Sequence, residues 1–193
     1  MAGVGYPLRR YQRACTSSTY PTRPVVTDSD NARTPAIEEN LVLVGLQAPT
    51  AEDVIRALSD RLYRAGYVDE GFAKAVAERE RTFPTGLPTE IPVAIPHTEP
   101  QHCHRPAIAV GLLEKPVPFG LMGTDDQTVQ TQVVFLLAIT DPKLQVQWLR
   151  RLVEFFQRPG LLREIQSVPS AADVAHILRR HLLSQRGGDG AKE

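Results

Sequence analysis

A chain of 193 residues, 42% hydrophobic and 23% charged, is long enough for one domain with a sizeable core and ordinary in its composition. Lys plus Arg and Asp plus Glu are balanced at 22 each, and zero net charge argues against nucleic acid as the main partner, because phosphate-backbone binding needs a basic field. The two cysteines, Cys15 and Cys103, belong to no paired spacing, so no disulfide framework is implied and a reducing compartment fits.

Residues 1–36 are rich in Thr, Ser, Pro and Arg and carry no helical or strand periodicity; they read as a flexible, mildly basic tail. Arg9, Arg10 and Arg13 are followed by no apolar run, so this segment is not a secretory signal, and a cytoplasmic protein is expected. The predicted domain spans 37–184. Leu41-Val42-Leu43-Val44 is a first strand. Thr50 is placed to cap a helix with Asp53 in its first turn; Val54, Ile55, Leu58 and Leu62 form its inner face, and Gly66 ends it. Asp69 opens a second helix, with Phe72, Ala73, Val76 and Ala77 inward, that runs into Arg79 and Glu80.

Residues 84–118 hold eight of the sixteen prolines and are expected to form stiff turns and edge pieces, with short strands at Val93–Ile95 and Ala107–Leu113. Thr131–Ile139 reads as a central strand. Its longest apolar run, Val133–Ile139, has seven residues where a membrane span needs about 20. Asp141-Pro142 ends that strand and opens a helix to about Arg158, with Trp148, Leu149, Leu152, Phe155 and Phe156 inward. Ser170 caps a last helix with Val174, Ile177, Leu178 and Leu182 inward, and 185–193 is a loose tail. Helices before, between and after four or five strands predict an α/β fold with a mixed sheet. Neither GxxxxGK[ST] nor GxGxxG is present, so no phosphate-binding loop is expected.

Chemistry concentrates between Arg79 and His97. Ala94-Ile95-Pro96 brings His97 to the end of a short apolar strand, with the backbone stiffened just before it. A neutral imidazole can act as a nucleophile near pH 7 when one ring nitrogen is held by a hydrogen bond and the other is free. The bland alternative is a hydrogen-bonded turn histidine. Arg79 carries a planar guanidinium suited to phosphoryl oxygens, against the plainer role of a solvated helix-end charge. Glu90 is a candidate to accept a hydrogen bond from the imidazole or to anchor Arg79, against that of a surface carboxylate.

Arg79-Glu80, Phe83-Pro84-Thr85-Gly86, Glu90 and Ala94-Ile95-Pro96-His97, in this order, resemble the IIA component of the bacterial phosphoenolpyruvate-dependent sugar phosphotransferase system, in its fructose/mannitol superfamily; Phe-Pro-Thr-Gly is most similar to galactitol-type members. The resemblance covers about 37–184. It implies a three-layer α/β/α sandwich and a phosphocarrier, an enzyme component with a phosphohistidine intermediate and no cofactor or metal. His97 then takes a phosphoryl group from phospho-HPr and gives it to a cysteine of a IIB component; the membrane IIC component is involved only indirectly. Arg79 and Glu90 match the family's arginine and glutamate near the histidine, and Thr98 is a secondary candidate. Mannitol- and fructose-type members carry a second histidine where this chain has Gln145, an amide that can donate to a phosphate oxygen but cannot offset its charge; the resemblance to galactitol-like members is consistent with glutamine there.

Two other readings stand beside this one. A regulatory module of the same fold would use the phosphorylation state of His97 to control a protein partner. A metal-binding protein would use His97, His102, Cys103 and His104; the ligand types suit zinc, but H-x4-H-C-H is not a usual zinc spacing, and adjacent extended residues face opposite ways. His176 and His181, on the last helix, read as exposed or partly packed.

Overall fold

The structure is a computed structural model, and it describes residues 33–183. Five strands form one sheet: β1 (Val42–Leu46), β2 (Gly86–Leu87), β3 (Val93–Ala94), β4 (Ala107–Gly120) and β5 (Thr128–Ala138), in the order β1-β4-β5-β3-β2. The sheet is mixed. β1 runs parallel to β4, β4 antiparallel to β5, β5 parallel to β3, and β3 antiparallel to β2.

Both faces of the central strands are apolar, and each strand alternates between two cores. Val93, Ile95, Ile108, Val110, Val133, Phe135 and Leu137 face α3 (Pro142–Phe156), α4 (Leu161–Ser167) and α5 (Ala171–Leu178). Ala94, Ala107, Ala109, Val134, Leu136 and Ala138 face α1 (Ala51–Arg64) and α2 (Phe72–Thr82). The first face is lined by large side chains and packs the aromatic cluster of Phe135, Phe155 and Phe156. The second has alanine at four of those six positions, which lets α1 and α2 lie close to the sheet. The three-layer α/β/α sandwich with a mixed sheet is therefore the observed architecture.

Helix starts follow their capping residues. Thr50 Oγ1 accepts from Asp53 N, Asp141 accepts from the amides of Lys143 and Leu144, and Ser170 Oγ accepts from Asp173 N. Pro142, first in α3, costs no intrahelical bond there. Gly66, with φ +72°, turns the chain after α1. Asp69 accepts from Gly71 N just ahead of α2.

Three elements differ from expectation. β4 does not stop at Leu113; it runs on to Gly120 through Pro116 and Pro118 and forms a long hairpin with β5. Proline is tolerated because β1 ends opposite Leu113, so β4 is an edge from there and has no partner on that side to receive an N–H. The two-residue β2 and the seven-residue α4 are additional. At the N-terminus, residues 33–36 of the expected tail pack on the domain: Ala36 bridges to Ala107, and the Arg33 carbonyl accepts from Trp148 Nε1 at 3.3 Å. The rest of that tail, with Tyr6, Tyr11 and Tyr20, and the C-terminal tail 185–193 lie outside the described residues. Among the described residues no helix is long and apolar enough to cross a membrane.

Candidate functional site

The site is built where β3 runs out. Val93 pairs with Val133 and Ala94 with Val134, and the same register resumes at His97, which bridges to Leu137. Pro96 interrupts the ladder only as a donor; its carbonyl still accepts from Leu137 N at 3.0 Å. Alternate residues of a strand turn their backbone groups to opposite sides, so Ile95 points its N–H and C=O away from β5, toward β2. β2 pairs only as far as Gly86 with Ala94. Beyond that step Ile95 has no backbone partner, and side chains take its groups. Thr85 Oγ1 accepts from Ile95 N at 3.2 Å, and the Ile95 carbonyl accepts from His97 Nδ1 at 2.8 Å.

That second bond decides the chemistry of the ring. A carbonyl can only accept, so Nδ1 carries the proton and Nε2 keeps its lone pair. His97 is 7% exposed. Burial pushes its pKa below the ordinary histidine value; the Ile95 bond opposes this, the positive charge of Arg79 adds to it, and Glu99 works against it. The group is a neutral imidazole with a fixed tautomer, short of the imidazolium that would have no lone pair to offer.

Arg79 lies in the last turn of α2, half-buried, with its guanidinium carbon 5.5 Å from the centre of the Phe83 ring. Phe83 is itself 62% exposed, an unusual amount for an aromatic side chain, and the guanidinium stacks over it. Next to Arg79, Glu80 is buried. Its carboxylate accepts from Thr85 N at 2.9 Å and from Thr85 Oγ1 at 2.7 Å. Burial pushes its pKa up to about 7, against the lowering by the two Thr85 bonds and by Arg79. Sequence reasoning placed Glu80 and Thr85 in the motif and assigned them no task; the only signal was a helix-ending carboxylate followed five residues later by a threonine before a glycine.

The other expected residues are placed as follows. Thr98 is buried beside His97. Gln145 lies in the first turn of α3, at the same end of the sheet, since β3 and β5 run parallel and α3 follows β5; among the described residues no hydrogen bond joins it to His97. Glu90 is corrected. Its carboxylate pairs with Arg163 of α4, and neither Arg79 nor the imidazole is its partner. Glu90 precedes β3 and His97 follows it, so the two lie at opposite ends of that strand. The metal reading is corrected too. His102 Nδ1 lies 3.0 Å from Asp69, His104 is exposed, and Cys103 is half-buried with its thiol pushed up to about 11 by burial. Among the described residues no three of His, Cys, Asp and Glu come together to hold a metal ion.

Comparison with known proteins bears on the family. The family model described as "Phosphoenolpyruvate-dependent sugar phosphotransferase system, EIIA 2" matches residues 36–181. The galactitol-specific EIIA component of Escherichia coli (strain K12) is 28% identical over 126 residues, which cover 65% of this chain and 83% of that one. The transcriptional regulator ManR of Bacillus subtilis is 26% identical over 127 residues, 65% of this chain but only 18% of the regulator. The complex of the mannitol enzyme IIA with phosphorylated enzyme IIB from Escherichia coli contains a chain that superposes with a TM-score of 0.60 at 21% identity, over 73% of this chain and 95% of that one. With the family model running from Ala36 to His181, through the His97 strand and both helical layers, the chain belongs to the EIIA 2 family of the phosphoenolpyruvate-dependent sugar phosphotransferase system.

Proposed function

We propose that His97 is the phosphoryl carrier of this chain, loaded from phospho-HPr and unloaded onto a cysteine of a IIB component. The observation that supports this best is the 2.8 Å bond from His97 Nδ1 to the Ile95 carbonyl, which leaves Nε2 as the nitrogen with a lone pair. In the first step Nε2 attacks phosphorus, the N–P bond of the donor histidine breaks, and the donor imidazole leaves. In the second a thiolate of IIB attacks, the new N–P bond breaks, and Nε2 recovers its lone pair. The proton stays on Nδ1, hydrogen-bonded to the Ile95 carbonyl, throughout. Little covalent work is asked of the protein beyond positioning and charge, and Arg79 supplies the positive charge against a phosphoryl group of nearly two negative charges.

The likeness to a galactitol component supports a galactitol-like or related polyol as the sugar served, and work in the cytoplasm beside a membrane IIC partner. The likeness to ManR favours a second reading, in which phosphorylated His97 regulates a protein partner. Incubation with phosphoenolpyruvate, Enzyme I and HPr should label the wild type, and His97→Ala should abolish the label. The label should be acid-labile and base-stable, and phosphorus–nitrogen NMR should find it on Nε2. Labelling of the alanine variant would overturn the assignment, and phosphorus on Nδ1 would overturn the tautomer. Onward transfer to a IIB cysteine favours transport; a label that IIB does not remove favours regulation.

A further inference from the structure

We propose that Glu80 and Thr85 form a positioning strut for phosphotransfer, holding the Ile95 backbone and, through its carbonyl, the His97 ring with Nε2 turned outward. The inference rests on the reading of His97 as the carrier.

Four buried groups are joined in series. Glu80 accepts twice from Thr85, at 2.9 Å from the amide and 2.7 Å from the hydroxyl. The Thr85 hydroxyl, donating to the carboxylate, accepts from Ile95 N at 3.2 Å, and the carbonyl of that same residue accepts from His97 Nδ1 at 2.8 Å. Exposure is 8% at Glu80, 2% at Thr85, 2% at Ile95 and 7% at His97, so water does not compete for any of these bonds.

The chemical identity of each member matters. A buried carboxylate is costly wherever an apolar side chain would fit, and the two Thr85 bonds and the charge of Arg79 offset that cost only in part. Its two oxygens do one thing that a hydrophobe cannot: they accept from the amide and the hydroxyl of Thr85 and so orient that hydroxyl. In its ionised form, which prevails above about pH 7, the carboxylate only accepts, so the Thr85 hydroxyl donates to it and the lone pairs left on Oγ1 face Ile95 N–H. A glutamine would present an N–H to the same hydroxyl and release its proton to turn elsewhere. The strut also repairs a defect of the fold. β2 is too short to pair with Ile95, so without Thr85 the residue that fixes the histidine tautomer would have an unpaired buried N–H on the site's own side of the sheet. Close contacts hold the loop in place behind it. A Cβ on Gly86 would meet the Gly120 carbonyl oxygen and a Val129 methyl at 2.5 Å, and one on Gly120 would meet Pro84 at 2.7 Å.

The test uses the full chain with its histidine rings labelled with nitrogen-15, in wild type, Thr85→Val, Thr85→Ser and Glu80→Gln. Ring-nitrogen shifts report the His97 tautomer whether or not any phosphoryl group is transferred, and thermal melting reports folding separately. In wild type one tautomer is expected, protonated at Nδ1. Thr85→Val keeps the shape of the side chain and removes the hydroxyl; it should mix the tautomers and slow loading from phospho-HPr by about tenfold or more, the scale of a misplaced reacting group. Thr85→Ser should restore both, which loss of packing alone would not allow. Glu80→Gln should shift the ring signals in a folded protein, and it carries the test if the valine variant does not fold. A valine variant with one tautomer and a wild-type loading rate overturns the strut, as does a folded Glu80→Gln with unchanged ring signals. If the wild type takes no phosphoryl group at all, the carrier reading fails, and the tautomer spectra still decide the strut.

Discussion

Two histidines stand five residues apart on either side of Pro100, and their surroundings could hardly differ more. His97 is buried at the end of β3 and donates a hydrogen bond from Nδ1 to a carbonyl. His102 sits in a 3-10 turn with its Nδ1 against both carboxylate oxygens of Asp69, at 3.0 and 3.1 Å. Either partner can orient a ring. Only the carbonyl does so without adding a negative charge, and a group meant to receive a phosphoryl oxyanion has to be oriented without being made repulsive to it. The Asp69 pair instead ties the turn to the start of α2, where the Asp69 carboxylate also accepts from Gly71 N. Under the proposed function, one histidine is set for transfer and the other is a clamp.

The largest effect that sharpens this comparison is the pair of alanine variants. His97→Ala should lose all labelling from phospho-HPr. His102→Ala should keep it to within about twofold and lower stability by about 1 kcal/mol, the usual size of a lost side-chain hydrogen bond. Thermal melts and a labelling time course read the two effects separately. If His102→Ala lost labelling while remaining folded, the division of tasks between the two rings would be wrong.

Next in size is Arg79→Lys. Lysine keeps the charge and loses the planar fork. Transfer should slow by a few kcal/mol at most in barrier, while stability changes by less than about 0.5 kcal/mol, because the buried residues Phe72, Val76 and Ala77 pack α2 without the guanidinium. Unchanged transfer would show that the fork is not used. A large fall in melting temperature would make Arg79 a structural residue, through its stacking on Phe83.

What could be read beforehand in the sequence was what is local. Caps at Thr50, Asp141 and Ser170 and the helical spacing of apolar residues locate α1, α3 and α5; Pro96 after an apolar pair singles out His97. The elements that escaped have no local signature. α4 starts from Gly160 with no side-chain cap, β2 is two residues long, and the prolines of late β4 look like turns until the end of β1 is seen to leave that edge free. The same divide runs through the site. Thr85 reaches Ile95 across ten residues and Glu90 finds Arg163 in another layer, and neither choice is encoded in spacing.

The buried carboxylate of Glu80 gives a pH signature. Its pKa is about 7 in the folded chain against an ordinary value of 4.5. Below pH 4.5 it is neutral in both states and costs nothing; as pH rises, the unfolded chain loses the proton first, and the folded chain must ionise a buried group by about pH 7. Stability contributed by this group is therefore complete in acid, is lost across that window, and levels off above it, by about 3 kcal/mol in all. His97, whose pKa is lowered, acts with the opposite sign, so the quantity to measure is the difference between wild type and Glu80→Gln in denaturant titrations at several pH values. The wild type should lose ground to the variant from pH 5 to 7.5. A flat difference would mean that Glu80 ionises as freely as a surface carboxylate.

The smallest effect is expected at Glu90. Sequence reasoning paired it with His97 or Arg79, and the structure pairs it with Arg163, both groups being substantially exposed, at 43% and 68% of their side chains. Such a pair is worth about 0–1 kcal/mol, because water screens it and two long side chains must be held still to make it. Glu90→Gln should therefore change stability by less than about 0.5 kcal/mol, and that small change should shrink further in high salt. Loading of His97 should stay within about twofold, since the charges that bear on the ring come from Arg79 and Glu99. The informative outcome would be the contrary one. A loss of loading as large as that of Arg79→Lys, with the melting temperature unchanged, would mean that Glu90 acts at the reacting phosphorus after all. It could do so only by leaving Arg163 when a partner docks, and Arg163→Ala, which frees Glu90 in advance, should then speed loading rather than leave it alone.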